Sequence, residues 1–201
     1  MIVNSAEFIK SSTEVKECPK GIYPEYAFIG RSNVGKSSLI NKLCNKLKLA
    51  KTSSTPGKTQ LINHFFINEE WFLVDLPGYG FAKMPLPIKK KMEVMISQYL
   101  LQRKNLMNIY VLIDSRHLPL AIDMEFMEQL AENQLAFSII FTKADKLKKR
   151  KLEENIGKYK SKLSESWEEL PAMYITSSES GLGTDLVLKD IESINKLFSL
   201  D

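Results

Sequence analysis

Gly30-Arg31-Ser32-Asn33-Val34-Gly35-Lys36-Ser37 follows the apolar run Tyr26 to Ile29 and precedes a stretch with helical spacing. The pattern GxxxxGKS between a strand and a helix predicts a phosphate-binding loop. Its glycines let successive backbone N–H groups curl around phosphate oxygens, Lys36 reaches the β and γ phosphates, and the Ser37 hydroxyl can ligate Mg²⁺. Arg31, Ser32, Asn33 and Val34 line the loop, and Ser38 opens the helix beside Ser37. A glycine turn that merely caps a helix is the alternative, and the flanking strand and helix speak against it. The chain is expected to bind a nucleoside triphosphate.

A phosphate loop does not choose among kinases, ATPases and GTPases, so the segments after it decide. Trp71 to Val74 is a short apolar run ending in Asp75-Leu76-Pro77-Gly78. This fits a strand that delivers a carboxylate to the Mg²⁺ site and the Gly78 N–H to the γ phosphate. Phe137 to Phe141 reads as a buried strand ending in Thr142-Lys143-Ala144-Asp145, a form of the (N/T)KxD box. Asp145 can accept hydrogen bonds from N1–H and the exocyclic amine of guanine, a pair adenine does not offer, while the Lys143 stem lies along the base. Leaving that acid unpaired against the wrong base costs roughly 2 to 5 kcal/mol, enough to reject ATP. Met173 to Ile175 leads into Thr176-Ser177-Ser178, a loop whose N–H groups can touch guanine O6.

Taken together, GRSNVGKSSLIN, TPGKTQLIN, DLPGYG and TKADKL resemble the EngB/YihA (YsxC) family of bacterial ribosome-assembly GTPases, over nearly the whole chain. That resemblance implies that Thr59 is a second Mg²⁺ ligand beside Ser37 and Asp75, in a loop with Gly57, Lys58 and Gln60 that orders around the γ phosphate. It further implies action in maturing the large ribosomal subunit, with effects on cell division and septation. The residue after DxxG, where many GTPases carry a water-positioning Gln, is Tyr79. Related GTPases with an apolar or aromatic residue there hold a phosphate-loop Asn that coordinates K⁺, and Asn33 stands at that place; the alternative is that Asn33 merely hydrogen-bonds the loop. Lys36, Asn33, Thr59 and Gly78 are therefore the expected hydrolytic group, with GTP or GDP, Mg²⁺ and K⁺ as ligands.

Composition sets outer limits. At 201 residues with 44% hydrophobic content, a single α/β domain is expected. Alternating strands and helices predict a three-layer fold with a mostly parallel six-stranded sheet and helices on both faces, the ligand loops lying at the strands' carboxyl ends. Lys36 to Leu47 reads as a helix with Cys44 and Leu47 inward. Leu61 to Ile67 and Trp71 to Val74 read as a hairpin across Asn68-Glu69-Glu70. Ile88 to Leu101 reads as a helix burying Met92, Met95, Ile96, Tyr99 and Leu100. Ile109 to Ile113 reads as a strand, Ala121 to Leu130 and Leu147 to Trp167 as helices, and a closing helix carries Ile191, Ile194, Leu197 and Phe198. Residues 1–22 are expected to pack on a domain spanning 23–201. Two distant cysteines, Cys18 and Cys44, suggest neither a zinc site nor a disulfide framework. With no 18-residue apolar run and no secretion signal, a monomeric cytoplasmic protein is expected.

Net charge is +4, yet Lys89, Lys90 and Lys91 crowd one segment and Lys146, Lys148, Lys149, Arg150 and Lys151 another. Such clusters attract ribosomal RNA phosphates, although a lysine run is also how a helix presents a solvated face. Two other functions compete with a slowly hydrolysing switch. A guanine-nucleotide-binding scaffold with negligible turnover is compatible with Tyr79, and a small-molecule kinase is compatible with the phosphate loop but not with TKAD. Asp145→Asn should weaken GTP binding and shift preference toward xanthosine triphosphate, because an amide puts a donor where guanine requires an acceptor. Competition titrations in which the variant keeps its guanine preference would remove Asp145 from base recognition.

Overall fold

A computed structural model describes residues 1–51, 60–80 and 84–199. The described strands form one seven-stranded sheet: β1 (Ala6–Ser12), β2 (Glu25–Gly30), β3 (Ile62–Ile67), β4 (Trp71–Asp75), β5 (Leu106–Asp114), β6 (Phe137–Thr142) and β7 (Met173–Ile175). Their order is β1-β3-β4-β2-β5-β6-β7. From β4 to β7 all neighbours are parallel, whereas β1 and β3, and β3 and β4, pair antiparallel. Six strands were expected. The seventh is β1, whose half-polar sequence AEFIKSS buries only its two ends and has little apolar periodicity to read.

Helices α1 (Lys36–Leu43), α2 (Leu86–Gln102), α3 (Ala121–Glu132), α4 (Lys149–Leu163) and α5 (Thr184–Asn195) cover both faces. Successive strand residues point to opposite faces, so β2 feeds two cores. Tyr26 and Phe28 pack with Leu39 and Ile40 of α1 and Val187 and Ile191 of α5. Ala27 and Ile29 pack with Ile96 and Tyr99 of α2, Met127 of α3 and Ile156 of α4. This explains why β2 and β5 read as unbroken apolar runs: both of their faces are covered. Among the described residues no helix is long and apolar enough to cross a membrane.

Several local readings need correction. Helix α1 ends at Leu43 rather than Leu47, because Asn45 takes a left-handed conformation (φ 48°) and the Lys46 N–H turns back to the Asn41 carbonyl at 2.9 Å. The Asn41 side chain then braces the following loop, accepting from the Ala50 N–H at 2.7 Å and donating to the Ala50 carbonyl at 3.0 Å. Cys44 is buried as expected, but Leu47 is 95% exposed. Helix α5 stops at Asn195, so Leu197 and Phe198 lie beyond it. The β3–β4 hairpin turns through Asn68 and Glu69, both with positive φ, as twisted hairpins require. Asn68 also ties down the N-terminus, donating to the Ile2 carbonyl and accepting from the Asn4 and Ser5 N–H groups. All five predicted inward residues of α2 are buried.

A buried polar cluster fixes α2 against the far end of the sheet. Glu25, wholly buried at the start of β2, accepts from the Tyr99 hydroxyl at 2.6 Å and from Arg103 Nε at 3.0 Å, and Arg103 Nη2 bonds its second oxygen. His64 Nε2 stands 3.4 Å from Glu25, close enough to pair but not aligned as a hydrogen bond. Burial alone would raise the Glu25 pKa, yet the His64 and Arg103 contacts outweigh it and bring it from the ordinary 4.5 to about 2. The folded state thus binds this proton less readily than the unfolded chain. Glu25's stabilising contribution is complete above about pH 4.5 and disappears as pH falls through about 2. Arg103→Met strands a buried carboxylate and should lower unfolding free energy at neutral pH by about 3–5 kcal/mol. The acid-induced loss within that window should shrink in the variant. Urea denaturation at several pH values checks both, and a change under about 1 kcal/mol would show that the pair is not what holds α2.

Candidate functional site

The phosphate loop leaves β2 at Gly30, where the chain passes so close to β5 that an added Cβ would lie 2.7 Å from the Leu112 carbonyl oxygen. Only a residue without a side chain fits that approach. At the loop's end Gly35 takes φ 100° and starts α1, a left-handed conformation that other residues reach at a cost. Between the glycines, the Val34 carbonyl accepts from the Thr142 hydroxyl at 2.6 Å, which fastens the loop to the end of β6.

Lys36 and Asp75 meet directly. The Lys36 ammonium bonds Asp75 Oδ1, with the two residues only 8% and 3% exposed. The pair joins the first turn of α1, which follows β2 through the phosphate loop, to the last residue of β4, the strand that lies beside β2 in the sheet. Ser37 is half-buried on the same turn, so a hydroxyl and a carboxylate lie at one end of the loop. Leu76, by contrast, belongs to the core: it is fully buried and its N–H bonds the Phe28 carbonyl at 3.1 Å. Pro77 and Gly78 are buried beside it, Ser38 is exposed in the first turn of α1, and Gln60 is exposed ahead of β3. Gly57, Lys58 and Thr59 lie outside the described residues.

On the other side of the loop sits the TKAD segment. Lys143 has φ 59°, and its stem crosses Gly35 at 3.4 Å from where a Cβ would be. Its ammonium donates to the Asn33 carbonyl at 2.6 Å and to Asp114 Oδ2 at 2.9 Å. Asp145 accepts from the Ser177 hydroxyl at 2.6 Å and pairs with Lys146 at 2.9 Å. Those two contacts hold its carboxyl below the usual carboxylate range, so it is an ionised acceptor at neutral pH. Ala144 is buried and its N–H donates to the Thr176 carbonyl at 3.1 Å, which packs the two loops together. Thr176 turns its hydroxyl to the Phe141 carbonyl, so its side chain serves the fold. Ser177 accepts from the Ser180 N–H, and Ser178 faces a cleft of about 150 Å³.

That cleft is lined by Gly35, Ser38 and Leu39 on one wall and by Lys143, Asp145, Lys146 and Ser178 on the other. A larger groove, about 500 Å³, runs between α2 and α3 beside Tyr79 and contains none of the phosphate-loop or TKAD residues. Arg31 turns away from the cleft, its Nε donating to Asp123 at 3.1 Å, while Asn33 is exposed at the loop's tip with φ 62°.

Two participants were not found from sequence. Asp114 ends β5 and accepts three hydrogen bonds from Arg116, at its N–H, Nε and Nη2, besides that from Lys143. Burial opposes its charge, but the Arg116 and Lys143 bonds prevail and keep it well below the ordinary carboxylate pKa. The signal was an acid at the carboxyl end of an apolar run, the edge where open α/β sheets bind ligands. Asp123, inside α3, gave no such signal.

Comparison with known proteins agrees with this geometry. Residues 25–143 match a family model described as 50S ribosome-binding GTPase. The chain is 58% identical over 196 residues to “Probable GTP-binding protein EngB” of Bacteroides fragilis, covering 98% of both chains. It is 55% identical over 195 residues to the protein of that name in Christiangramia forsetii, covering 97% of this chain and 98% of the relative. Among solved structures, one titled as a probable EngB GTP-binding protein superposes with TM-score 0.69 at 23% identity, covering 87% of this chain and all of the other. Aquifex aeolicus Era gives the same TM-score at 22% identity, over 88% of this chain and 57% of that one. At such identities the two structures speak for the fold, whereas the full-length likeness in sequence places the chain in the EngB family of P-loop GTPases.

Proposed function

We propose that the chain binds GTP and Mg²⁺ at the cleft between its phosphate loop and the TKAD segment, hydrolyses GTP slowly, and acts as a switch in assembly of the large ribosomal subunit. The observation that carries the reading is that one cleft has the last glycine of the phosphate loop, Gly35, and the first turn of α1 on one side and Asp145 on the other. Each residue then has a task. Asp145, held ionised by Ser177 and Lys146, accepts from guanine N1–H and the 2-amine. Lys143, anchored by Asp114 and the Asn33 carbonyl, lays its stem along the base. Lys36 exchanges part of its contact with Asp75 for β and γ phosphate oxygens, and the loop amides surround them.

Ser37 and Asp75 would hold Mg²⁺ through the oxygen donors that ion favours, with Thr59 as the further ligand that the family resemblance implies, and the ion would neutralise phosphate charge. Thr59 and the Gly78 N–H respond to the γ phosphate, so its loss releases the loops they belong to. Tyr79 commits its hydroxyl to Asp123 at 2.9 Å, which argues against a water-positioning role and for slow intrinsic turnover, on the order of 10⁻⁴ to 10⁻² per second. Asn33, exposed at the loop tip, is the residue for K⁺, which would neutralise the negative charge that spreads over the phosphates in the transition state.

Contact with the large subunit is supported by the family description and by charge. Lys89, Lys146, Lys149 and Lys151 pair with carboxylates, while Lys90, Lys91, Lys148 and Arg150 carry no ion pair among the described residues. Those four are the cations offered to ribosomal RNA in the cytoplasm. A role in cell division and septation follows from the family resemblance.

Two measurements test this reading. Turnover should be several-fold faster in K⁺ than in Na⁺, and equal rates would remove K⁺ from the mechanism. Co-sedimentation with large subunits should favour the GTP-bound form and weaken steeply with salt, about tenfold or more for a joint Lys90→Ala, Lys91→Ala, Lys148→Ala, Arg150→Ala variant. Binding indifferent to nucleotide and salt would contradict the switch.

A further inference from the structure

Asp123 joins two loops that are separate in sequence. It is wholly buried in the first turn of α3, and its Oδ1 accepts both from Arg31 Nε at 3.1 Å and from the Tyr79 hydroxyl at 2.9 Å. Arg31 directly follows Gly30 at the start of the phosphate loop, and Tyr79 directly follows Gly78. Three further contacts close the joint. The backbones of Arg31 and Tyr79 form a parallel bridge. The Tyr79 ring stacks on Phe126 of α3 with centroids 4.4 Å apart and planes at 20°. Gly80 then turns with φ 74°, so close to Ile122 that a Cβ would lie 2.7 Å from its Cδ1.

Stability does not account for the acid. Oδ2 of Asp123 is buried with no hydrogen-bond partner among the described residues, the nearby Tyr159 hydroxyl being given to the Leu118 carbonyl, and burial raises the group's pKa against the opposing pull of Arg31, Tyr79 and Tyr159. A buried charge so incompletely satisfied is commonly no better than an apolar or amide residue of similar size. What it supplies is geometric: a single oxygen receives one donor from each loop, so neither loop can shift without losing it.

We propose that Asp123 is a positioning residue for hydrolysis, fixing the register between the phosphate loop and the Asp75–Gly78 turn through Arg31 and Tyr79. The proposal rests on the GTPase reading above. Gly78 must present its N–H to the γ phosphate while Lys36 and the loop amides hold the β phosphate, and those groups belong to the two loops that Asp123 joins. Ground-state binding of GDP needs only the phosphate loop and the base site. Losing the register therefore falls on kcat, where a displacement of about 1 Å is enough for losses near a hundredfold.

The test compares Asp123→Ala, Asp123→Asn and Tyr79→Phe with the unsubstituted protein, reading GDP affinity, KM, kcat and thermal midpoint. For Asp123→Ala the expected result is GDP affinity and KM within about threefold and kcat lowered about 10- to 100-fold. Asp123→Asn keeps an acceptor oxygen for both donors and should recover to within about threefold of the original kcat. Tyr79→Phe retains the stack on Phe126 and loses one bond, so its kcat should fall between the two. If Asp123→Ala does not fold, Tyr79→Phe decides, and an unchanged kcat there overturns the proposal. It is also overturned if kcat in Asp123→Ala stays within twofold, if affinity, kcat and thermal midpoint fall together, or if Asn rescues no better than Ala. Absence of any GTP turnover in the unsubstituted protein would instead mark failure of the GTPase reading itself.

Discussion

The pairing of Lys36 with Asp75 is the constraint around which the site is arranged. Neither charge has much water, so each requires the other, and the requirement links the first turn of α1 to the end of β4. Parallel pairing of β2 with β4 and β5 brings the strand ends to one edge, and the ion pair sets how the loops leave them. A triphosphate enters this arrangement as a third charged group, offering Lys36 oxygens in a setting where unshared charge is costly.

Around that pair the molecule uses buried acids as fasteners. Asp114 holds the ammonium of Lys143 so that its stem lies over Gly35, Asp123 receives Arg31 and Tyr79, and Glu25 anchors Arg103 and Tyr99 at the opposite end of β2. They differ in how fully they are satisfied. Asp114 accepts four hydrogen bonds, which hold its pKa down, whereas Asp123 keeps one oxygen without a hydrogen-bond partner among the described residues and has its pKa raised by burial. Polar groups placed this way contribute less to net stability than to selecting one geometry among several compact ones.

Much of this was legible in the sequence because phosphate and guanine demand fixed chemistry at fixed places. Gly30, Gly35 and Lys36 could be read from spacing, and the helix period exposed the buried face of α2. Strand β1 was missed because an edge strand with one end of each face buried carries no strong alternation, and its partner β3 lies more than fifty residues away. The early end of α1 depends on a bifunctional Asn41 side chain that no periodicity encodes. Asp123 was invisible for the same reason: an acid in a helix's first turn ordinarily complements the helix dipole at the surface. Only tertiary structure reveals that this one points inward, toward two loops.

The central claim is that one cleft recognises a guanine base and a phosphate chain together. Equilibrium titration of the purified protein with GDP and with ADP in magnesium-containing buffer tests it most directly. The account predicts saturable one-to-one binding of GDP, with ADP weaker by at least about a hundredfold. Equal affinity for the two, or no binding of GDP, would contradict it.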